Sequence, residues 1–289
     1  MIANANRRTG YWLILVAAML WGTTGTVQAF APPGTQPQVV GALRLLVGGI
    51  GLLAWAQWGG VLRRPTRAEM PLLLLGAVGV AAYQLLFFAG VARTGVAIGT
   101  IVGIGSSPIL AGVLDWLVNR QPLTGRWVIA TALAIAGAVL LTLPGEQVIA
   151  DGLGVLLAVG TGGMYALYAT AGKRLLVTLH PDAMSALMFG LAMLLLLPAL
   201  FTADNTWVLT PNGMVLVLHL GLLATTAAYV CFSRGLQRVA ASTAVTLSLA
   251  EPLTAAVLGV TLLGERLTPP ALVGIGLLLL GLWWLTRQS

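Results

Sequence analysis

SLAEPLTAAVLGVTLLGERLT, residues 248–268, sets Glu251 beside Pro252 in a run apolar enough for a protein core or a bilayer interior. A carboxylate left ionised and unpaired at such depth costs on the order of several kcal/mol. Such an acid must be protonated, hydrogen-bonded or paired. The proline beside it removes a backbone donor and frees a carbonyl one turn back. Both features fit a helix that is interrupted where its backbone faces protein or a wet cavity.

Composition decides between core and bilayer. Of the 289 residues, 58% are hydrophobic and 8% are charged, against roughly a quarter charged in an ordinary soluble domain. A soluble fold could not cover that much apolar surface with so few charges. The fold class is therefore an all-α polytopic membrane protein, its many Gly and Ala residues suited to close helix packing in lipid. The net charge is +7. Its basic residues lie in short segments between apolar runs and form no patch, which excludes nucleic acid as a partner. Cys231 stands alone, so neither a disulfide framework nor a cysteine metal site is expected.

Apolar runs of about 20 residues, the length that crosses the hydrocarbon layer, recur at 11–30, 38–58, 70–91, 96–118, 125–143, 152–172, 182–202, 212–233, 240–262 and 270–286. Ten spans place both termini on one side. With that side cytoplasmic, 12 basic residues fall inside, Arg93 and Arg266 fall outside, and Arg44 lies within a span. The first run is read as a span rather than a cleaved leader. It is long for such a leader, although VQA (27–29) resembles a cleavage site.

A shift of 144 residues aligns two halves. Pro108 meets Pro252, Gln121 meets Glu265, Leu123 meets Leu267, Thr124 meets Thr268, Gly137 meets Gly281 and Thr142 meets Thr286. Tyr83 meets Tyr229 with a small gap. The halves, 1–145 and 146–289, hold five spans each. An odd number makes the repeat inverted, as in secondary transporters whose substrate site lies where the halves meet. GSSP (105–108) and LAEP (249–252) are matching proline sites and candidate helix breaks or hinges, at Pro108 and Pro252. Gly95, Gly99 and Gly103 on the fourth span, and Ala240, Ala244 and Ser248 on the ninth, form small-residue stripes. These two spans are expected to pack on each other.

WG (21–22) with Arg44, and Glu251-Pro252 followed by GERLT (264–268) and GIGLLLLG (274–281), resemble the opening and close of the EamA-type repeat of the drug/metabolite transporter superfamily. The resemblance covers the whole chain and looks nearest to the YddG-type exporters of aromatic amino acids. The first copy departs from the pattern, with Ser107 before Pro108 and Gln121 in place of the second glutamate. Roles of those acids carry over to the second half alone. The resemblance implies a bacterial inner-membrane secondary transporter that exports amino acids by alternating access; the residues leave its oligomeric state open, with a monomer among the possibilities. Export or import of other small metabolites or drugs is the alternative. An intramembrane enzyme would need clustered acids or a His/Asp/Ser constellation; the eight acids are scattered, so no enzyme, cofactor or metal is expected.

Polar residues at depth are the candidates for substrate contact. Glu251 either couples protons or meets a substrate amine, or else accepts backbone N–H groups at the break. His219 either binds a substrate carboxylate or is a hydrogen-bonded interior histidine; Thr226 shares its face. Trp21, Gly25 and Gln28 share a face of the first span, Gly76, Tyr83 and Phe87 one of the third, and Thr161, Tyr165 and Tyr168 one of the sixth. Such stripes would line an aromatic cavity suited to moderately apolar solutes. Arg44 reads as a structural counter-charge near the outer interface, within snorkelling reach. Asp115 reads as interfacial, and Trp283 and Trp284 as belt anchors.

Overall fold

A computed structural model describes residues 2–142, 151–201 and 205–287. Among these residues, ten helical spans are long and apolar enough to cross a membrane. The first half holds α1 (Ile2–Ala29), α2 (Pro37–Trp58), α3 (Met70–Thr94), α4 (Val96–Asn119) and α5 (Gly125–Thr142). The second holds α6 (Gly152–Leu175), α7 (Pro181–Leu196), α8 (Pro211–Leu218), α9 (Ala228–Arg238), α10 (Ala241–Leu247), α11 (Glu251–Leu262) and α12 (Pro269–Thr286). A π-helical segment, His219–Ala227, joins α8 to α9 in one continuous span, and a 3₁₀ turn, Ser248–Ala250, joins α10 to α11 in the next. Five spans per half make the second copy enter the bilayer from the opposite face. The expected boundary at 145/146 lies outside the described residues.

Local chemistry sets the ends. Proline opens α2, α3, α7, α8, α11 and α12 within the first two positions, where its missing N–H would have no partner in any case. Asp151, Thr210 and Thr268 accept backbone N–H groups at the starts of α6, α8 and α12. Gly95, at φ +83°, ends α3 and starts α4 with no intervening loop.

The most extensive interfaces join α3 to α6, α5 to α12 and α4 to α6, so the two halves interlock. Bare glycine backbone makes the approach possible. A Cβ on Gly137 would lie 2.6 Å from the Gly274 carbonyl, and one on Gly281 would lie 2.7 Å from that of Ala130. These glycines hold α5 against α12.

The small-residue stripe of α4 packs elsewhere than expected. Gly99 faces Val91 of α3, and Gly103 faces Ala158 and Thr161 of α6. The span containing α10 meets α4 at a different point. The Asp115 carboxylate accepts the Ser242 N–H at 2.9 Å and its hydroxyl at 2.8 Å, and takes an amide N–H from Asn119 at 2.8 Å. Asp115 is fully buried. It caps the start of α10 from a position four residues before the end of its own span.

The two proline sites also differ. The second span of the pair is interrupted at Ser248–Ala250, as LAEP predicts, whereas α4 runs unbroken through Pro108. Trp283 and Trp284 are exposed, each beneath an arginine, Arg287 over the first and Arg126 over the second, as belt anchors would be.

Candidate functional site

An aromatic cluster fills the middle of the bundle, with rings from both copies. From the first come Trp21 on α1 and Tyr83 and Phe87 on α3. From the second come Tyr165 and Tyr168 on α6, Phe189 on α7, and Tyr229 and Phe232 on α9. Trp21 lies 6.3 Å from Tyr165, 5.1 Å from Tyr229 and 5.4 Å from Phe232, centroid to centroid. Tyr83 stacks on Phe87 at 6.1 Å and meets Tyr165 edge-on at 6.3 Å. Phe189 and Tyr229 are 4.2 Å apart. The Trp21–Tyr165 and Tyr83–Tyr165 pairs are the edge-on contacts that ring quadrupoles favour, and the Trp21–Tyr229, Trp21–Phe232 and Phe189–Tyr229 pairs are tilted. The buried indole N–H of Trp21 has no partner among the described residues.

Helix breaks abut this cluster. The Tyr165 hydroxyl bonds the Ser248 hydroxyl at 2.8 Å, where the 3₁₀ turn begins, and Ser248 also donates to the Ala244 carbonyl. Glu251 opens α11 immediately beyond the turn. Gly22 of α1 lies directly over that point; a Cβ there would meet the Glu251 carbonyl at 2.6 Å.

Arg44 of α2 reaches the other irregular span. Its Nε donates to Thr225 Oγ1 at 2.9 Å and its Nη2 to the Ala224 carbonyl at 3.1 Å. The Thr225 and Thr226 hydroxyls in turn donate to the Leu220 and Gly221 carbonyls, and the Ala228 N–H reaches the Leu223 carbonyl five residues back, the mark of a wide π turn. Thr226 also reaches the Gly48 carbonyl of α2 at 3.2 Å. A π segment frees carbonyls that an α-helix would use internally, and such segments occur often at functional sites. The guanidinium exploits one of them. It turns inward rather than snorkelling.

Glu251 opens α11 beside the ring cluster, and Arg44 of α2 holds the π segment that leads into Tyr229. No ion pair joins them among the described residues, and the Glu251 carboxylate makes no hydrogen bond there. Arg44 uses two of its five N–H donors. The result is an acid and a guanidinium, contributed by different copies, with unspent bonding capacity beside a wall of rings.

The remaining sequence candidates scatter. Thr161 is fully buried between α4 and α6 and donates to the Leu157 carbonyl. Gln28 is exposed, outside the aromatic cluster. Gly76 packs on Met188. His219 pairs with Thr23 of α1 at 2.7 Å, where the π segment begins. Pro108 and Pro252 are both buried in helices. The sequence reading passed over Tyr229, Phe232 and Phe189 as cavity residues. Tyr229 was within reach, since the repeat pairs it with Tyr83. No candidate metal cluster of three or more His, Cys, Asp or Glu occurs among the described residues.

The EamA-like transporter family matches this chain twice, over residues 8–143 and 152–287. A Bacillus subtilis (strain 168) protein named "Uncharacterized transporter YwfM" is 48% identical over 93% of this chain and 90% of its own length. The "Threonine/homoserine exporter RhtA" of Escherichia coli (strain K12) is 31% identical over 93% of this chain and 90% of its own. A "Probable terminal-alkyne amino-acid exporter" of Streptantibioticus cattleyicolor is 26% identical over 96% of this chain and 93% of its own. A solved crystal structure superposes with a TM-score of 0.83 at 20% identity, covering 97% of this chain and 99% of the other; at that identity it speaks for the fold alone. The chain belongs to the EamA-like transporter family and is a multi-pass membrane transporter of the drug/metabolite type.

Proposed function

We propose that this EamA-like transporter exports amino acids, aromatic and other hydrophobic ones foremost, across the bacterial inner membrane by alternating access. The observation that carries the reading is bonding capacity left over beside the ring cluster: Arg44 of one copy spends two of its five N–H donors, and the Glu251 carboxyl of the other makes no hydrogen bond among the described residues. An α-amino acid brings an ammonium and a carboxylate a few ångströms apart. The ammonium meets Glu251, the carboxylate meets the free N–H groups of Arg44, and the side chain lies against Trp21, Tyr165 and Tyr229. A solute with a single charge would leave one protein charge uncompensated in a low-dielectric interior, which is costly. The two copies rock about this site, as inverted repeats do. The basic residues, 12 on one side against two on the other, favour both termini in the cytoplasm. Lipid and a small-molecule substrate are the partners, and one chain suffices as the transporting unit.

A relative named for threonine and homoserine favours a second reading, small hydroxy amino acids, for which the Tyr165 and Ser248 hydroxyls offer bonds. Uptake and counterflow of labelled phenylalanine, tryptophan, methionine, leucine and threonine into proteoliposomes separate the readings, with and without a proton gradient. Saturable flux competed by aromatic amino acids is the expected result. Threonine as the strongest competitor selects the second reading. No flux of any of them through folded protein overturns amino-acid export and directs the search to other metabolites or drugs.

A further inference from the structure

Polar ties are spread unevenly between the two ends of the bundle. At the end where the basic residues gather, Asp182, near the start of α7, joins three spans. Its carboxylate accepts Arg234 Nε at 2.9 Å and Nη2 at 2.6 Å from α9, and Trp55 Nε1 at 3.0 Å from α2. The acid is 5% exposed. The Arg234 guanidinium also lies over the Trp55 ring at 6.0 Å. Fork-to-carboxylate pairing of this kind is the strong form of a charged hydrogen bond. Lys173 reinforces the same end by donating to the Leu236 carbonyl at 2.9 Å. At the opposite end, the ion pair among the described residues is Arg93–Asp151, whose partners are 49% and 31% exposed.

Trp55 belongs to the first copy, and Asp182 and Arg234 belong to the second. A tie across the copies at one end must break if the copies rock apart there. A cleft of about 370 Å³, lined by Trp58, Val61 and His180 together with the three tied residues, lies against the junction. Such a cleft marks where an entrance would widen.

We infer that the Asp182–Arg234–Trp55 junction is a latch that holds the basic end of the transporter shut, and that this structure is the form closed at that end. The inference rests on the alternating-access reading above. Breaking the latch releases α9 from α2 and α7 and wets the interior face of α9 from the basic side.

The protein carries its own reporter. Cys231, its single cysteine, is half-buried three residues before Arg234 on α9. The test is the labelling rate of Cys231 by a membrane-impermeant maleimide applied from the basic side in oriented vesicles. Asp182→Asn raises that rate on the order of tenfold, as for the loss of about 1.4 kcal/mol from the closed form. Trp55→Phe leaves both charges in place, removes one hydrogen bond, and raises it by a smaller factor. It also keeps the test sound if Asp182→Asn fails to fold. Arg93→Gln, at the far end, leaves the rate unchanged. Unchanged or slower labelling in folded Trp55→Phe protein, or equal acceleration by Arg93→Gln, overturns the latch. Faster labelling without flux of any amino acid retains the latch and rejects the substrate reading. Flux with unchanged labelling does the reverse.

Discussion

GSSP at 105–108 and LAEP at 249–252 are equivalent positions in the repeat, yet α4 passes through the first and the helix changes character at the second. At the first site the Ser106 and Ser107 hydroxyls both donate to the Gly103 carbonyl, at 3.2 and 2.7 Å. Local hydroxyls thus bond backbone in the turn that proline disturbs, and the helix holds. At the second site the Glu251 N–H bonds Ser248 in a 3₁₀ turn, and a new helix starts with Glu251 in its first turn. The positive end of that helix favours a negative side chain. A proline by itself does not break a membrane helix: α4 carries Pro108 in its interior, whereas Pro252 sits in the first turn of a new helix behind Glu251.

The largest test of this contrast is flux. Glu251→Gln is expected to lower amino-acid transport on the order of tenfold or more, as for a charge-assisted hydrogen bond to the substrate. Ser107→Ala should stay within about twofold, since its hydroxyl serves the helix rather than the solute. Equal effects would erase the functional difference between the sites. Asp115→Ala comes next. It removes the first copy's cap from α10 and strands Ser242 and Asn119, at a cost of about 2–3 kcal/mol readable as lost thermal stability in detergent. The repeat places Gly259 at the matching position, so this support runs in one direction only.

Where the copies are alike, equality is the expectation. Gly137→Ala and Gly281→Ala each push a methyl into backbone across the α5–α12 seam, for a similar loss of about 1–3 kcal/mol. Unequal losses would extend the asymmetry to that seam. The smallest effect concerns Glu69, between α2 and α3. The Arg63 guanidinium, with the Thr66 amide and Thr178 hydroxyl, holds its carboxyl well below the usual carboxylate range. A depressed value contributes stability that is present above the unfolded value, about 4.3, and is lost as pH falls toward the folded one. The stability difference between wild type and Glu69→Gln should hold steady from about pH 8 to 5 and narrow below about pH 4. A difference that grew on acidification would contradict the assignment.

Much of this was legible before any coordinates. Apolar run length yields ten spans because the hydrocarbon layer sets one scale for all of them. The 144-residue shift yields two copies, and Glu251-Pro252 marks the break. The π segment was not legible. His219–Ala227 contains no proline, and the group that bonds its backbone and Thr225, Arg44, lies 181 residues away from Thr225. The partner of a small-residue stripe was equally hidden, since periodicity shows that a face is smooth and not which helix lies on it. For Asp115, depth along a span was visible and its partner Ser242 was not.

The interrupted span bears on how the protein is made. α10 has 7 residues and α11 has 12, about 10 and 18 Å at 1.5 Å per residue, so neither crosses the membrane alone. Their carboxylate adds about 3 kcal/mol to the cost of insertion near the middle of a span. Residues 241–262 can therefore enter the bilayer only as one hydrophobic unit. The first copy, synthesised earlier, supplies a contact on each side of the interruption: Asp115 at the start of α10 and Gly22 over the Glu251 backbone.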